Sequence, residues 1–261
     1  MKKFFELRGE LSSREKTILE IAGGIFFLSL WTIVSYLELV SPAILPMPQK
    51  VLFAFGELHF ENALIRNLAV SVKLNFLGYL EAIAISLPFG FLMIFPFFRG
   101  ILERYITSIR YLPLTALMGL FIAWFGIYAN MKVQFLAFGI FVYLLPTVAQ
   151  RVYEVQQIYV DTVKTLGASK WQTIRHVFIP DVISRVFDDI GVLVALSWTY
   201  IIIAEVVNSS DGGIGALAYI ASRQSRADKV YAVLIVIMLV GFLQDKIRLA
   251  MDKKFFPHKY V

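Results

Sequence analysis

Apolar residues in this chain gather into runs of about 20, separated by short polar segments. A helix needs about that many apolar residues to cross a bilayer, whereas a transmembrane β-strand shows only about ten alternating positions. The pattern therefore predicts an all-α, polytopic membrane protein with six transmembrane helices. The predicted spans are residues 18–40, 72–95, 105–125, 133–148, 182–207 and 230–249.

These runs divide the chain into segments. Residues 1–17 form a basic amphipathic leader, in which Ser12-Ser13 can start a helix, and residues 18–43 hold the first span and the start of an outer loop. Residues 44–249 form a core with five spans, and residues 250–261 form a basic tail. The first run exceeds the roughly 7–15 apolar residues of a secretory signal, so we expect it to be retained.

Composition agrees with a membrane location. Hydrophobic residues make up 58% and charged residues 17% of the 261, and the mean hydropathy is +0.70. The net charge of +6 comes from basic residues beside the spans, so we expect no nucleic-acid partner. Most of them fall on one side of the membrane if both termini are cytoplasmic, and the positive-inside rule favours that orientation.

The longest chemically mixed segment is residues 159–180, which lies between two apolar runs. Asp161–Leu166 can close one helix, Gly167 suits the left-handed residue after it, and Ser169 can cap the next. From Trp171 onward apolar residues recur at helical spacing until Pro180, which we expect to stop the run. The pattern predicts two short helices joined by a bend, either docked on a partner or lying on the lipid surface.

The same segment carries a resemblance. The run from Asp161 to Ser169, followed by Ile179-Pro180, resembles the cytoplasmic EAA loop of ABC importer permeases. Leu45-Pro-Met-Pro48 is similar to a signature of the permeases that import nitrate, sulfonates, taurine and bicarbonate, and both 110–113 and 124–126 match that group. The family's Glu-Ala-Ala is here Asp161-Thr-Val, so the detailed contacts of the first helix can differ.

The resemblance implies a type I ABC importer permease fold and a division of labour. The chain would be a non-catalytic subunit in a bacterial inner membrane, forming the path for a small anionic solute. A separate ATPase would bind ATP and magnesium and drive the permease through residues 159–180, so no cofactor is expected in this chain. The other implied partners are membrane lipid, a second copy of the chain and an extracytoplasmic solute-binding protein. The residues expected to couple to the ATPase are Asp161, Leu166, Gly167, Ala168, Ser169, Trp171 and Pro180.

Polar groups inside the predicted spans are candidates for the solute path, because a charge within a bilayer is costly. Glu205 either contacts the solute or holds the turn before Gly212-Gly213, and Glu81 either lines the pore or pairs within the membrane, for instance with Lys73. Trp198 and Tyr200 bring hydrogen-bond donors into an apolar span. Asp188 and Asp189 are expected to sit at a helix N-terminus, where negative charge is favourable.

Other chemistries are not indicated. The sequence has no Gly-x-x-x-x-Gly-Lys-Ser/Thr phosphate loop and no cysteine, and its three histidines fall in separate loops. We therefore expect no catalytic residues and no metal site. A membrane-embedded enzyme and an ATP-independent channel remain the alternative functions.

Overall fold

The computed structural model describes Gly9 and residues 11–260, and these residues form helices and turns without a strand. Most of the predicted leader, residues 1–8 and Glu10, lies outside the described residues. The first helix begins where predicted, because Ser12 and Glu15 form reciprocal capping hydrogen bonds. The helices are α1 (Ser13–Tyr36), α2 (Pro48–Phe60), α3 (Leu64–Leu92), α4 (Pro96–Ser108), α5 (Met118–Phe125), α6 (Ala129–Tyr153), α7 (Gln157–Thr165), α8 (Lys170–Thr173), α9 (Ile179–Val207), α10 (Ile214–Arg223) and α11 (Ala227–Phe255).

Five helical stretches of the described chain are long and apolar enough to cross a membrane: α1, α3, α6, the continuous stretch Lys170–Val207, and α11. A sixth crossing results when the bent pair Pro96–Tyr111 and Leu114–Phe125 counts as one span. The predicted number of six transmembrane helices is therefore reached only if this bent pair counts as one span. The predicted polytopic all-α class is confirmed.

The third predicted span, 105–125, is not one straight helix. The chain bends by 92° between the two members of the pair, and single turns of 3-10 helix flank the bend. Pro113 explains the break, because proline cannot donate a backbone hydrogen bond and disfavours helical geometry in the residue before it. Leu112 is accordingly extended, with φ −66° and ψ 127°.

The fourth span was predicted to end near Pro146, and this is wrong. Helix α6 continues to Tyr153 with Pro146 inside it. The carbonyl that Pro146 leaves without its usual backbone donor is that of Val142, and in the same turn the Thr147 hydroxyl donates to the Tyr143 carbonyl at 2.8 Å. Membrane helices tolerate proline where neighbouring helices and local hydrogen bonds stabilise the affected turn.

The described chain divides into two compact units. The smaller unit contains the described residues up to Asn62 together with Ala221–Ala232. Within it, the indole of Trp31 donates to the Pro46 carbonyl at 2.9 Å. Glu57 on α2 accepts a 2.8 Å bond from Arg226, and this bond and the nearby Lys229 hold the pKa of Glu57 below its usual value. These contacts join α2 to the start of α11.

The larger unit contains residues 63–220 and 233–260, and α6 lies at its centre between α3 and α9. Gly78 and Gly90 let α3 approach α6 closely, since a side chain at either position would overlap Leu136 or Val148. Small residues at helix contacts are the usual means of packing helices in a membrane. These two glycines therefore permit the close packing of α3 against α6.

Candidate functional site

The bend in segment 159–180 follows from backbone hydrogen bonding. Helix α7 ends at Thr165, and Gly167 has a φ of +85°, which L-residues rarely adopt. The amides of Gly167 and Ala168 donate to the carbonyls of Lys164 and Val163 at 2.9 and 3.0 Å. This is a Schellman motif, which satisfies the last carbonyls of α7 and turns the chain.

The second half of the segment starts with a capping box. The Ser169 hydroxyl accepts from the Gln172 amide at 3.3 Å, and the Gln172 side chain accepts from the Ser169 amide at 2.8 Å. Both interactions satisfy donors at the start of α8. The sequence therefore encodes both sides of the bend locally.

Pro180 does not stop the helix, contrary to the prediction. One turn of π-helix, Ile174–Phe178, joins α8 to α9, and Pro180 lies in the first turn of α9. In a regular α-helix the Pro180 ring would collide with the His176 carbonyl, but the wider π turn immediately before it relieves that contact. The bend segment and α9 thus form one continuous helical stretch, Lys170–Val207.

The bend presents apolar side chains on a polar surface. Leu166 is 82% exposed and Trp171 is 64% exposed, although both are large and apolar. Asp161 is also exposed and accepts a 2.8 Å bond from Gln157. Such exposed residues mark a contact surface for another protein or for lipid.

Next to the bend, an ion-pair cluster ties α6 to α9. Arg151 donates two bonds to Asp189, at 2.8 and 2.7 Å, and a third to Glu154 at 2.6 Å. Arg185 adds a 2.9 Å bond to Asp181. The predicted place of Asp189 at a helix N-terminus is wrong, because α9 begins at Ile179 and continues the helical stretch that starts with α8 at Lys170. The charge of Asp189 instead balances an arginine of the neighbouring helix.

Asp188 points to a different partner. Its carboxylate lies 2.9 Å from the ammonium group of Lys259 and 3.8 Å from Arg248. Like Asp189, it lies well inside the helix and not at its start, so the prediction of a helix N-terminus is wrong here too. The two adjacent aspartates therefore anchor α9 to two separate regions, α6 and the C-terminal segment.

Glu205 is fully buried near the end of α9. Its carboxylate accepts from the Ser71 hydroxyl of α3 at 2.5 Å and from the Gly215 amide at 2.7 Å. Ser71 in turn accepts from the Ile214 amide at 2.8 Å. Glu205 thus joins α3 and α9 to the first amides of α10, the segment that follows Gly212-Gly213.

The turn at 208–215 is held by further buried groups. Lys132 of α6 is completely buried, donates to the Asn208 carbonyl at 2.9 Å and lies 3.8 Å from Asp211. Asn208 donates to the Ile127 carbonyl and to Asp211. At the end of this turn and directly after it, Ile214, Gly215 and Ala216 are buried, whereas Tyr219 and Ile220 of α10 are exposed. The sequence analysis did not identify Lys132 or Ser71 as candidate site residues. Lys132 directly precedes an apolar run, and that position is the signal that could have identified it.

The other three path candidates lie apart from Glu205. Glu81 accepts a 2.7 Å bond from Gln134 of α6, and within the described chain it forms no ion pair with Lys73. The Trp198 indole donates to Gln244 of α11 at 2.9 Å and is buried. Tyr200 packs edge-on against Phe135 with ring centroids 6.4 Å apart. The four residues therefore face different helix contacts and form no single site.

The described residues hold no group of three histidine or acidic side chains that could bind a metal. The bend, the ion-pair cluster and the buried cluster at Glu205 are polar arrangements that link helices.

Known proteins resemble this chain over most of its length. Residues 82–256 match the family described as binding-protein-dependent transport system inner membrane component. The taurine transport system permease protein of Escherichia coli strain K12 is 28% identical over 236 residues, which cover 88% of this chain and 86% of that protein. A Methanocaldococcus jannaschii protein described as an ABC transporter permease is 30% identical over 222 residues, covering 82% and 83%.

Among solved structures, a chain of a methionine ABC transporter in inward facing conformations superposes with a TM-score of 0.65. The match covers 74% of this chain and 95% of that one at 18% identity, so it shows a shared fold. The fold and the importer group expected from the bend and the Leu-Pro-Met-Pro signature are thereby confirmed. The chain belongs to the family of binding-protein-dependent transport system inner membrane components, the permeases of ABC importers.

Proposed function

We propose that this chain forms the translocation pathway of an ATP-driven importer for a small anionic solute. It works as a non-catalytic subunit with a second copy of itself, ATPase subunits and an extracytoplasmic solute-binding protein. ATP and magnesium are bound by the ATPase. The assembly sits in a bacterial inner membrane with both termini of this chain in the cytoplasm.

One observation carries the proposal: the bend of segment 159–180 is exposed, carries apolar side chains and is continuous with α9 through one helical stretch. Leu166 and Trp171 offer the apolar anchors that a groove on a partner would bury. Because Lys170–Val207 is one helical stretch, a pull on the bend acts directly on the buried Glu205 end of α9. The Arg151–Asp189 pair passes the same displacement to α6.

The anionic solute is supported by similarity alone. The E. coli relative is named for taurine, which carries a sulfonate group. Membrane lipid is the other partner proposed for this chain, because apolar residues of α1 such as Ile25, Phe26 and Phe27 are more than half exposed. Those side chains need a nonaqueous environment.

Reconstitution tests the proposal. Proteoliposomes that contain the chain, its ATPase and its binding protein should accumulate solute only when ATP is supplied. Leu166→Glu should abolish co-purification of the ATPase, whereas Leu39→Glu, an exposed leucine outside the bend, should leave it unchanged. Uptake against a gradient by this chain alone, or downhill flux without ATP, would contradict the proposal and favour a channel.

A further inference from the structure

A cavity of about 260 Å³ lies between α3, α5 and α6, apart from the bend and from the Glu205 cluster. Its wall is mostly aromatic. Among the lining residues, Phe121 is buried, Phe138 and Phe141 are half-buried, and Trp124 and Phe125 are 66% and 37% exposed. The rings form one cluster, since the centroid of Phe121 lies 5.6–5.9 Å from those of Trp124, Phe125 and Phe138.

One carboxylate lines this aromatic cavity. Glu81 accepts a bond from Gln134, which is a neutral amide, and within the described chain no lysine or arginine forms an ion pair with it. Lys132, two residues before Gln134, donates to the Asn208 carbonyl and lies beside Asp211 on another side of α6. A carboxylate in a membrane span normally has a partner or a functional reason. Among the described residues, none supplies a cation for Glu81.

Aromatic faces and a carboxylate select the same kind of ligand. Ring faces carry negative electrostatic potential and attract ammonium groups, most strongly at tryptophan. The carboxylate adds a full negative charge, whereas an anion would be repelled by both. We propose that this cavity binds an organic ammonium group with a small apolar body, held by Glu81 and the rings of Trp124, Phe121 and Phe138.

This inference deepens the proposed function. The binding site does not depend on that function, and only the statement that its ligand is a transported solute rests on it. For a transported solute that carries an ammonium group as well as an acidic group, the ammonium end would enter this cavity and the acidic end would lie outside it. Two of the lining residues are accessible, since Trp124 is 66% exposed and Glu81 is half-buried, so a ligand can reach the cavity without unfolding of α3 or α6.

The first test compares two probes of one shape. Choline carries a quaternary ammonium, and 3,3-dimethylbutan-1-ol replaces that nitrogen by carbon and has no charge. Binding is measured on the purified full chain in lipid nanodiscs, with empty nanodiscs to correct for partition into lipid. Choline should bind at least about tenfold more tightly than the alcohol. Equal affinities of the two probes for the unmutated chain would overturn the proposal.

The second test uses matched carboxylate variants. Glu81→Gln keeps the shape and the bond to Gln134, and it should weaken choline binding by about tenfold. Trp124→Leu should weaken it several-fold, whereas Glu103→Gln, which alters a surface pair with Arg99, should leave it unchanged. Full choline affinity in Glu81→Gln would overturn the proposal. These assays contain no ATP and no ATPase, so a failure here leaves the coupling role intact, and a failure of coupling leaves this site intact.

Discussion

At the scale of single residues, Gly167 and Gly213 have backbone angles that glycine adopts more readily than other residues do. Gly167 has a φ of +85° with no atom near the position of a side chain, so only the backbone conformation resists substitution. Gly213 has a φ of +115°, and a side chain there would overlap the Glu205 carboxylate. The first glycine shapes an exposed bend, and the second makes room for a buried charge.

Gly167→Val should therefore weaken coupling by straining the bend. A left-handed conformation costs an L-residue roughly 1–2 kcal/mol, and a β-branched residue is the least tolerant. We expect ATP-driven uptake in proteoliposomes to fall markedly while the amount of folded chain in the membrane stays the same. Gly167→Asn is the control, because asparagine adopts this conformation more readily, and it should retain most of the uptake. Normal uptake in the valine variant would show that the bend is not required.

At the scale of elements, an ion-pair cluster connects α6 to α9. Arg151 makes a two-bond contact with Asp189 and a third bond with Glu154, and its side chain is 30% exposed. The bond from Arg151 also holds the pKa of Glu154 below its usual value. This cluster lies at the end of α6, next to the helices of the bend, so it is placed to link them.

Arg151→Lys should loosen that link, since lysine cannot form the two-bond contact with a carboxylate. We expect a loss of about 1 kcal/mol, measured as a lower midpoint of thermal unfolding in detergent. Arg99→Lys, whose pair with Glu103 is more exposed, should have almost no effect. An equal effect of the two variants would contradict the assigned role.

The same cluster has a defined pH window. Because the folded pKa of Glu154 is lowered, its contribution to stability is present above the unfolded value of about 4.3 and is lost as the pH falls through the folded value. The difference between wild type and Arg151→Lys should accordingly shrink in acid.

At the scale of the whole molecule, orientation determines whether the bend can meet a cytoplasmic ATPase. The chain contains no cysteine, so single cysteines give a clean readout. Ser169→Cys should react with a membrane-impermeant thiol reagent only in inside-out vesicles, whereas Glu61→Cys, in the loop between α2 and α3, should react in intact cells. The opposite pattern would place the bend outside and contradict the proposed coupling.

The apolar runs predict most of the membrane helices because burial in lipid requires about 20 apolar residues whatever their neighbours are. The bend was equally predictable, since Gly167 and Ser169 act through local hydrogen bonds. The helix ends at prolines were not predictable from the sequence. Pro113 breaks its span, Pro146 lies inside α6, and Pro180 is accommodated by a π turn. The outcome at each proline depends on how the local backbone geometry and the neighbouring helices accommodate its ring and its missing donor.

The sequence by itself therefore determined the helical membrane class, the bend and the family, because hydropathy, caps and motifs are properties of short stretches. Only the tertiary structure decided which buried polar groups meet. Ser71 and Glu205 are 134 residues apart in the sequence, yet they share a 2.5 Å hydrogen bond. Likewise, Arg151 of α6 pairs with Asp189 of α9. Such pairs depend on which helix faces pack together, and the pattern along one chain does not specify that packing.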